Sequence, residues 1–317
     1  MFRLRIGYLI SGIATGLVLL FSFLWSLPDG KLHIVFCDVG QGDSAYVRFP
    51  DGRDMVVDGG PNDKILGCLG KYMPFWDRHI NLVVMTHPQK DHIQGLNPVL
   101  ERYSVDYFIR SDIDNTTEGY KKLLDVIRNK KISVKFVTTG ERIDIGSTSL
   151  SMLWPSTAQI AKAKSLQRSD PASQGPTLSE NILGSQAIGD LNDYSLVFLL
   201  RYGSFDALFT GDADSRVEGN YTGIKLALRK DSGQADDGIE VLKVPHHGSK
   251  TGMTKEFVAW IHPKFSIISV GKNSYGHPSS ETLELLKEVG SDIKRTDQEG
   301  DIEVVSDGKN YRVRSKR

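Results

Sequence analysis

The sequence predicts an α+β protein in which two β-sheets pack together and helices cover their outer faces. Short runs rich in β-branched and aromatic residues begin directly after Pro28, separated by Gly, Asp and Pro, and helical patterns follow them. The same order, strands first and then helices, recurs in the second half of the chain. Because no linker-like stretch separates the halves, we predict one domain rather than two.

The individual elements follow from local patterns. The apolar run INLVVMT at 80–86 is typical of a strand, and a helix is predicted from about Asp91. Another helix is predicted around 119–129, because its apolar residues share one face: Tyr120, Leu123, Leu124 and Ile127. In the second half, one helical pattern starts at Thr254 and ends at Pro263, and another starts at Ser280 and ends at Gly290. Two polar stretches without periodicity, 155–191 and 213–238, are expected to be irregular excursions.

The first 30 residues have a different composition. Two arginines precede an uncharged apolar run from Ile6 to Leu27, long enough as a helix to reach about 33 Å. We predict a transmembrane signal anchor in residues 1–30 that passes the membrane once and leaves the domain at 31–317 outside the cytoplasm. A cleaved signal peptide is the alternative, although no small-residue cleavage pattern follows the run.

Composition and charge exclude few classes of function. The chain has 39 basic and 39 acidic residues, a formal net charge of zero and a pI of about 7.1, which argues against a generic nucleic-acid coat protein. It has two cysteines and no cysteine-based zinc motif. A buried thiol is the favoured interpretation of Cys37, and a disulfide with Cys68 is the alternative.

Metal-binding side chains are concentrated where predicted strands end. Five of the eight histidines lie at such ends, together with several aspartates. These positions are Asp58, His87, Asp91, His92, Asn192, Asp193, Asp212, His246, His247 and His277. Strand ends share an edge of a sheet, so residues far apart in sequence can converge there. Imidazoles and carboxylates at one edge predict a divalent metal site.

Several motifs resemble a known family. The spacing His-x-x-x-Asp-His, with a later Gly-Asp and later histidines, is similar to that of the metallo-β-lactamase superfamily of metal-dependent hydrolases. More narrowly, FCDVGQGDSAYVRFPDGRDMVVDGG, NDYSLVFLLRYGSFDALFTGDAD, VLKVPHHGSKTG and ISVGKNSYGHPS resemble the extracytoplasmic hydrolase domain of ComEC-type competence proteins. The resemblance covers roughly residues 32–314. It implies an αββα sandwich of two mixed sheets flanked by helices.

The resemblance also implies a set of metal ligands. His87 falls on the first ligand of the motif, and Asp91 and His92 fall on ligands of a second metal. Asp212 falls on the carboxylate that bridges both metals. His277 matches the final ligand best, and the choice between it and the two adjacent histidines at 246 and 247 stays open.

Other positions take supporting roles in this resemblance. Asp58 falls on the buried aspartate that braces the motif. His246 and His247 are candidates for a general acid or a phosphate contact, and Lys250 for steadying substrate phosphate. Lys243 is expected to be an ordinary surface lysine. In DVGQGDS, a tight turn is at least as good an interpretation as substrate contact by Gln41 or Asp43.

Two positions depart from the superfamily pattern. Gln89 stands where the superfamily has His, and the third-ligand His is replaced by Asn192-Asp193. Oxygen ligands in place of imidazole weaken a site for zinc and favour Mn²⁺ or Mg²⁺. We therefore expect one or two ions, Zn²⁺ or Mn²⁺, per chain. The expected tight site comprises Asp91, His92, Asp212 and His277, and the looser one comprises His87 and Asp212, with Asp193 and Gln89 as further candidates.

The expected function is a metal-dependent phosphodiesterase or DNase related to competence DNA uptake. A metal-bound hydroxide oriented by Asp91 would attack single-stranded DNA or another phosphodiester. One alternative is a hydrolase of a small ester, lactone or β-lactam, and another is a non-catalytic, membrane-tethered binding module. An open basic cleft would favour DNA, whereas a small apolar pocket would favour a small substrate.

Overall fold

Two mixed β-sheets, of eight and seven strands, form the centre of the computed structural model, which describes residues 6–25, 27–168, 185–186, 190–219 and 238–316. The helices in these ranges are α1 (Ile6–Trp25), α2 (Lys64–Tyr72), α3 (Lys90–Ile93), α4 (Leu96–Arg102), α5 (Glu118–Asn129), α6 (Thr157–Arg168), α7 (Ser215–Glu218), α8 (Lys255–Ile261), α9 (Ser280–Glu288) and α10 (Thr296–Glu299). Helices cover the outer faces of both sheets. The predicted sandwich of two mixed sheets flanked by helices is confirmed.

The strands are short, as their spacing in the sequence predicted. They are β1 (Leu32–Phe36), β2 (Ala45–Arg48), β3 (Asp54–Val57), β4 (His79–Met85), β5 (Ser104–Arg110), β6 (Ile113–Asp114), β7 (Ser133–Phe136), β8 (Arg142–Ile145), β9 (Thr148–Trp154), β10 (Ser185–Gln186), β11 (Val197–Tyr202), β12 (Phe205–Phe209), β13 (Val241–Lys243), β14 (Phe265–Ile268), β15 (Asp292–Arg295), β16 (Asp301–Ser306) and β17 (Tyr311–Lys316). Strands β6 and β10 form a separate two-stranded pair.

Each large sheet joins an antiparallel half to a parallel half. The first has the order β17-β16-β1-β2-β3-β4-β5-β7 and is parallel from β3 to β7. The second has the order β15-β14-β13-β12-β11-β9-β8 and is parallel from β15 to β12. Neighbouring parallel strands have their carboxyl ends at the same edge of the sheet. The loops after β3 and β4 therefore start from one edge of the first sheet, and the loops after β12 and β13 start from one edge of the second.

The main core lies between the two sheets. In β1 the alternation is direct: Leu32, Ile34 and Phe36 point into this inter-sheet core, whereas Val35 points to the outer helices. Phe36 stacks on Phe209 of the other sheet, with ring centroids 5.7 Å apart. Period-two burial of apolar side chains thus fixes which face of each sheet meets its partner.

The helix predictions hold where apolar periodicity was strong. Helix α5 spans the predicted range, and all four of its predicted core residues are buried. The predicted helix after Thr254 is α8, and the Thr254 side chain accepts a hydrogen bond from the backbone N–H of Phe257. The expectation of irregular structure at 155–191 is wrong for 157–168, which form α6; most of the rest of that stretch and of 213–238 lies outside the described residues.

The N-terminal prediction is confirmed only as a helix. Helix α1 occupies the predicted apolar run, and large side chains such as Leu17 and Phe21 are exposed on it. Within the ranges that the structure describes, however, no helix combines the length and apolar character that crossing a bilayer requires. The predicted membrane crossing is therefore not confirmed.

The two cysteines are bonded to each other. Cys37 follows β1, Cys68 lies in α2, and a disulfide joins them. The expectation of a free buried thiol at Cys37 is wrong. Both side chains lie in the core between the first sheet and its outer helices, so the bond ties α2 to that sheet.

Replacing both cysteines by alanine should lower the free energy of unfolding by about 2–4 kcal/mol, because the bond closes a loop of about 30 residues in the unfolded chain. Denaturant unfolding with and without reductant would measure the effect. Reductant should destabilise the wild-type protein and leave the variant unchanged. Equal responses of the two proteins would contradict this expectation.

Stability should also depend on pH through Asp54. Burial raises the pKa of Asp54 to about 6, although the hydroxyl of Tyr46, which donates to its carboxylate at 2.6 Å, acts in the opposite direction. The folded state therefore holds a proton that the unfolded state releases, and this contribution is lost as the pH rises from about 4 to about 6.

Asp54→Asn should remove that part of the pH dependence, up to about 3 kcal/mol between pH 4 and pH 7. Unfolding free energies of both proteins at these pH values would test this. Asp144→Asn is the matched control, since that carboxylate is 66% exposed. If Asp54→Asn and Asp144→Asn leave the same pH slope, the assignment is wrong.

Candidate metal centre

The loop after β4 is braced by one buried carboxylate. Asp58, at the end of β3, accepts hydrogen bonds from the backbone N–H of Thr86 at 2.8 Å and from its hydroxyl at 2.6 Å. The same carboxylate accepts from Nδ1 of His92 at 2.9 Å. Because Nδ1 is used in this way, the other ring nitrogen of His92, Nε2, is the one that faces the pocket and can bind a metal there.

Four side chains present their ligand atoms to one small volume. Atoms of Asp91, His92, Asp212 and His247 all lie within 4.8 Å of one another. Nε2 of His247 is 3.4 Å from a carboxylate oxygen of both Asp91 and Asp212. Nε2 of His92 is 3.3 Å from the other oxygen of Asp212.

Several of these atoms are buried without a hydrogen bond. Nε2 of His92, Nε2 of His247 and Oδ1 of Asp212 have no hydrogen-bonding partner among the described residues. Buried polar groups are normally satisfied, so three such atoms that converge are the pattern expected of a cation-binding site. Two imidazoles and two carboxylates are a donor set that Zn²⁺ and Mn²⁺ both accept. The residues present therefore fit a divalent metal.

The Nδ1 atoms of two further histidines, His247 and His87, also contact neighbouring groups. Nδ1 of His247 donates to the backbone carbonyl of Ser269 at 2.9 Å and lies 3.2 Å from the carboxylate of Asp43. Nδ1 of His87 lies 3.4 Å from the hydroxyl of Ser195, which accepts the backbone N–H of Asp212. Such contacts set the tautomer and the ring orientation of metal ligands.

His87 lies beside the four-residue cluster. It is fully buried, its ring centroid is 4.1 Å from that of His92, and its Nε2 has no hydrogen-bonding partner in the described part of the chain. Burial, together with the nearby charge of His92, lowers the pKa of His87 to about 3. Its imidazole is therefore neutral, which is the form that binds a metal.

The electrostatics of the cluster are those of a cation site. Burial alone would lower the pKa of His247, but the carboxylates of Asp212 and Asp43 outweigh it and raise that pKa to about 10. Burial alone would raise the pKa of Asp212, but His247 and His92 hold it well below its ordinary value. Protons on the histidines thus balance the carboxylates, and a metal ion would replace those protons.

A buried ion pair that sequence reasoning missed supports the cluster. Lys243, expected at the surface, is only 4% exposed at the end of β13. Its ammonium contacts the carboxylate of Asp43 and donates to the carbonyl of Val244 at 2.9 Å. Asp43 lies in DVGQGDS and Lys243 precedes HHGS, but no sequence pattern links these two motifs, and lysine is rarely fully buried.

The DVGQGDS turn packs directly against the metal loop. The backbone N–H of Asp43 donates to the carbonyl of Asp91 at 3.2 Å. At Gly42, which has φ +150°, a Cβ atom would lie 2.3 Å from that same carbonyl oxygen. Glycine is therefore needed for this close approach, and the tight-turn interpretation accounts for Gly42.

Three sequence-predicted positions lie around the cluster rather than in it. The ring of His277 packs edge-on against that of His246, with centroids 5.5 Å apart. The carboxylate of Asp193 is 3.1 Å from the guanidinium of Arg216. Its neighbour Asn192 faces the site instead, with its amide nitrogen 3.4 Å from Nε2 of His246. His247 thus occupies the place in the cluster that the sequence assigned to His277.

An open cleft of about 800 Å³ leads to the cluster. Its lining residues are Gln41, Pro61, Gln89, Lys90, Asp91, His246, His247, Lys272, Asn273, Ser274, Tyr275 and His277. Gln89 therefore faces the cleft, at the N-cap of α3. Lys250 is exposed and is not part of this lining. Asp91 is the member of the four-residue cluster whose side chain is most open to the cleft, since a third of it is exposed.

The fold and the cluster agree with a comparison to protein families. A sequence profile of the metallo-beta-lactamase superfamily matches residues 37–272, about three quarters of the chain. The chain belongs to the metallo-beta-lactamase superfamily. Membership confirms the resemblance noted in the sequence and supports the predicted hydrolase class.

Curated relatives are of the expected kind. The chain is similar to ComE operon protein 3 of Bacillus subtilis (strain 168), at 26% identity over 91% of this chain and 34% of the relative. It is also similar to Recombination protein 2 of Haemophilus influenzae (strain ATCC 51907 / DSM 11121 / KW20 / Rd), at 24% identity over 90% of this chain and 30% of the relative. The chain thus spans about a third of the length of these relatives.

A solved structure shares the fold. The diiron β-hydroxylase CmlA from Streptomyces venezuelae has a TM-score of 0.50 and 14% identity, covering 90% of this chain and 54% of that chain. At this identity the likeness concerns the fold alone.

His247 and His277 can be separated by metal binding. His247→Ala should weaken the binding of Zn²⁺ or Mn²⁺ by at least about 100-fold, because it removes a buried donor. His277→Ala, outside the cluster, should keep the affinity within a few-fold of the wild type. Metal content after dialysis and competition with a chelator would measure both, with thermal unfolding as the control for folding. Loss of metal in His277→Ala alone would reverse the assignment.

Proposed function

We propose that this protein is a metal-dependent phosphodiesterase that cleaves nucleic-acid strands. The observation that carries the proposal is the shape and chemistry of the cleft, which is open, polar, and has Lys90 and Lys272 in its lining. A polyanion needs such a surface, whereas a small ester or β-lactam is usually enclosed by an apolar pocket. The described residues that line this cleft do not form the enclosed apolar wall that the small-substrate alternative requires.

In this proposal the metal-binding residues and the carboxylates that hold their histidines have different roles. A divalent ion held by Asp91, His92, Asp212 and His247 would act as a Lewis acid and make bound water more acidic. The carboxylate of Asp91 faces the cleft and orients the attacking water by accepting its hydrogen bond. Asp58 and Asp43 keep the two ligand histidines in position from behind, through the contacts at their Nδ1 atoms.

A proton is needed on the leaving oxygen. His246 is the better candidate for this role, since its side chain is 26% exposed and lines the cleft, whereas that of His247 is 2% exposed. Nε2 of His246 is 4.0 Å from Asp212 and 3.4 Å from the amide of Asn192, which together orient the ring. Transfer from an imidazole at this position is ordinary general acid catalysis.

The relatives support a nucleic-acid substrate by their names. One is called a recombination protein and the other is a product of the ComE operon. Single-stranded DNA, and a connection with competence, belong to the same proposal for this chain.

The location and the domain division are also proposals. Disulfides persist mainly in oxidising compartments, so the Cys37–Cys68 bond supports a site of action outside the cytoplasm. The ordered sandwich begins with β1 at Leu32, which supports a hydrolase domain at 31–317 that follows a separate helical segment within residues 1–30.

Asp91→Asn should reduce hydrolysis of a labelled single-stranded oligonucleotide by at least about 100-fold, because the neutral amide is a weaker metal ligand and a weaker acceptor for the attacking water than the carboxylate. The assay would use the metal-loaded protein with Mn²⁺, Mg²⁺ or Zn²⁺, with and without chelator. Asp106→Asn is the matched control, since that carboxylate is 43% exposed and lies at the amino end of the first sheet's parallel strands.

Two results would contradict the proposal. One is activity that persists in chelator, and the other is equal activity of Asp91→Asn and Asp106→Asn. Circular dichroism of both variants checks that the fold is intact. Activity on esters or β-lactams with none on any phosphodiester would favour the small-substrate alternative.

A further inference from the structure

One aromatic side chain in the cleft is mostly exposed. Tyr275 is 75% exposed, the largest exposed fraction among the large hydrophobic side chains that the structure describes. It belongs to the loop of residues 271–277, which follows β14 and which we call the Tyr275 loop. A single exposed aromatic residue is common on protein surfaces, so its surroundings decide whether it has a function.

The Tyr275 loop is held rigidly. The side chain of Asn273 accepts hydrogen bonds from the backbone N–H groups of Tyr275 at 3.0 Å and His277 at 3.1 Å. Its amide donates to the carbonyls of Gly271 at 2.9 Å and His277 at 2.8 Å. The backbone N–H of Gly271 also donates to the side chain of Gln41 at 3.2 Å. Four hydrogen bonds from the side chain of Asn273 thus fix the backbone that carries the exposed ring.

The ring also lies close to a histidine beside the metal cluster. Its centroid is 5.8 Å from that of His277, which in turn packs against His246. Three rings therefore run from the rim of the cleft to the side chain proposed as the proton donor. Between a group that stacks on Tyr275 and the proposed proton donor His246 lie only the rings of Tyr275 and His277.

Two cations line the same cleft as this row of rings. Lys90 and Lys272 are exposed in the lining of the same cleft, and neither has an ion-pair partner among the described residues. Ammonium groups without carboxylate partners are available to phosphate oxygens. An aromatic platform beside a cationic groove is the combination that binds single strands of nucleic acid, because every base has a face to stack.

We propose that Tyr275 is a stacking platform for an unpaired nucleobase and that Lys90 and Lys272 hold the phosphates on either side of it. The inference rests on the proposed nucleic-acid substrate, and it adds a subsite that distinguishes single strands from duplexes. In a duplex both faces of a base are covered by its neighbours, so a paired strand cannot use the platform. Tyr275 is thus a specificity-determining residue, and the cleft takes single strands in preference to duplexes.

Binding to the full chain in the presence of chelator tests the platform without depending on catalysis. Tyr275→Ala should weaken the binding of a fluorescent oligothymidylate by about tenfold, and Tyr275→Trp should restore it. Binding of an abasic strand of the same length should not change, since it offers no base to stack. Tyr107→Ala, which removes a side chain 57% exposed on β5, is the matched control and should bind as the wild type does.

The lysines are expected to act differently. Lys90→Ala and Lys272→Ala should weaken the binding of both strands, and each should reduce the slope of log affinity against log salt by about 0.7. Unchanged oligothymidylate binding by Tyr275→Ala, or an equal loss on the abasic strand, would overturn the platform. Hydrolysis of bis(p-nitrophenyl) phosphate by the metal-loaded wild type is measured separately. Its absence would count against the proposed function while the binding results still decide on Tyr275.

Discussion

Burial of negative charge is the constraint on which this structure depends. Asp43, Asp58 and Asp212 are all at least 95% buried, and with Asp91 they surround the imidazoles of His92 and His247. An isolated ionised carboxylate is very unfavourable in such surroundings. Each is therefore matched: Asp58 by donors, Asp43 by an ammonium, and Asp212 by imidazoles. A divalent cation is the natural completion of this arrangement.

That constraint shapes the backbone around it. Asp58, His246 and His247 have φ values of 54°, 50° and 53°, in the left-handed region that non-glycine residues avoid. Such conformations persist only where the surrounding contacts over-determine them. Here the contacts are the hydrogen bonds of Asp58 and the short turn Pro245–Gly248, whose two histidines point in different directions, one into the cluster and one to the cleft.

Apolar periodicity and strand ends made the sandwich and the edge of the site predictable from the sequence. The direction in which adjacent side chains point in a tight turn could not be predicted from the sequence. Asn192 and Asp193 are adjacent, yet one faces the histidines and the other faces Arg216. The burial of Lys243 depends on Asp43, some 200 residues away, and no local pattern reports such a pair. The apolar N-terminal run predicted its helix correctly, whereas the bilayer crossing predicted from the same run is not confirmed among the described residues.

The cluster draws its donors from both sheets, Asp91 and His92 after β4 and Asp212 and His247 after β12 and β13. The spacing of those donors is therefore set by how closely the sheets approach, and Phe36 and Phe209 are part of that contact. Cations differ in ionic radius and in the coordination number they tolerate. The volume of aromatic side chains in the hydrophobic interior thus becomes a determinant of which ion this protein prefers.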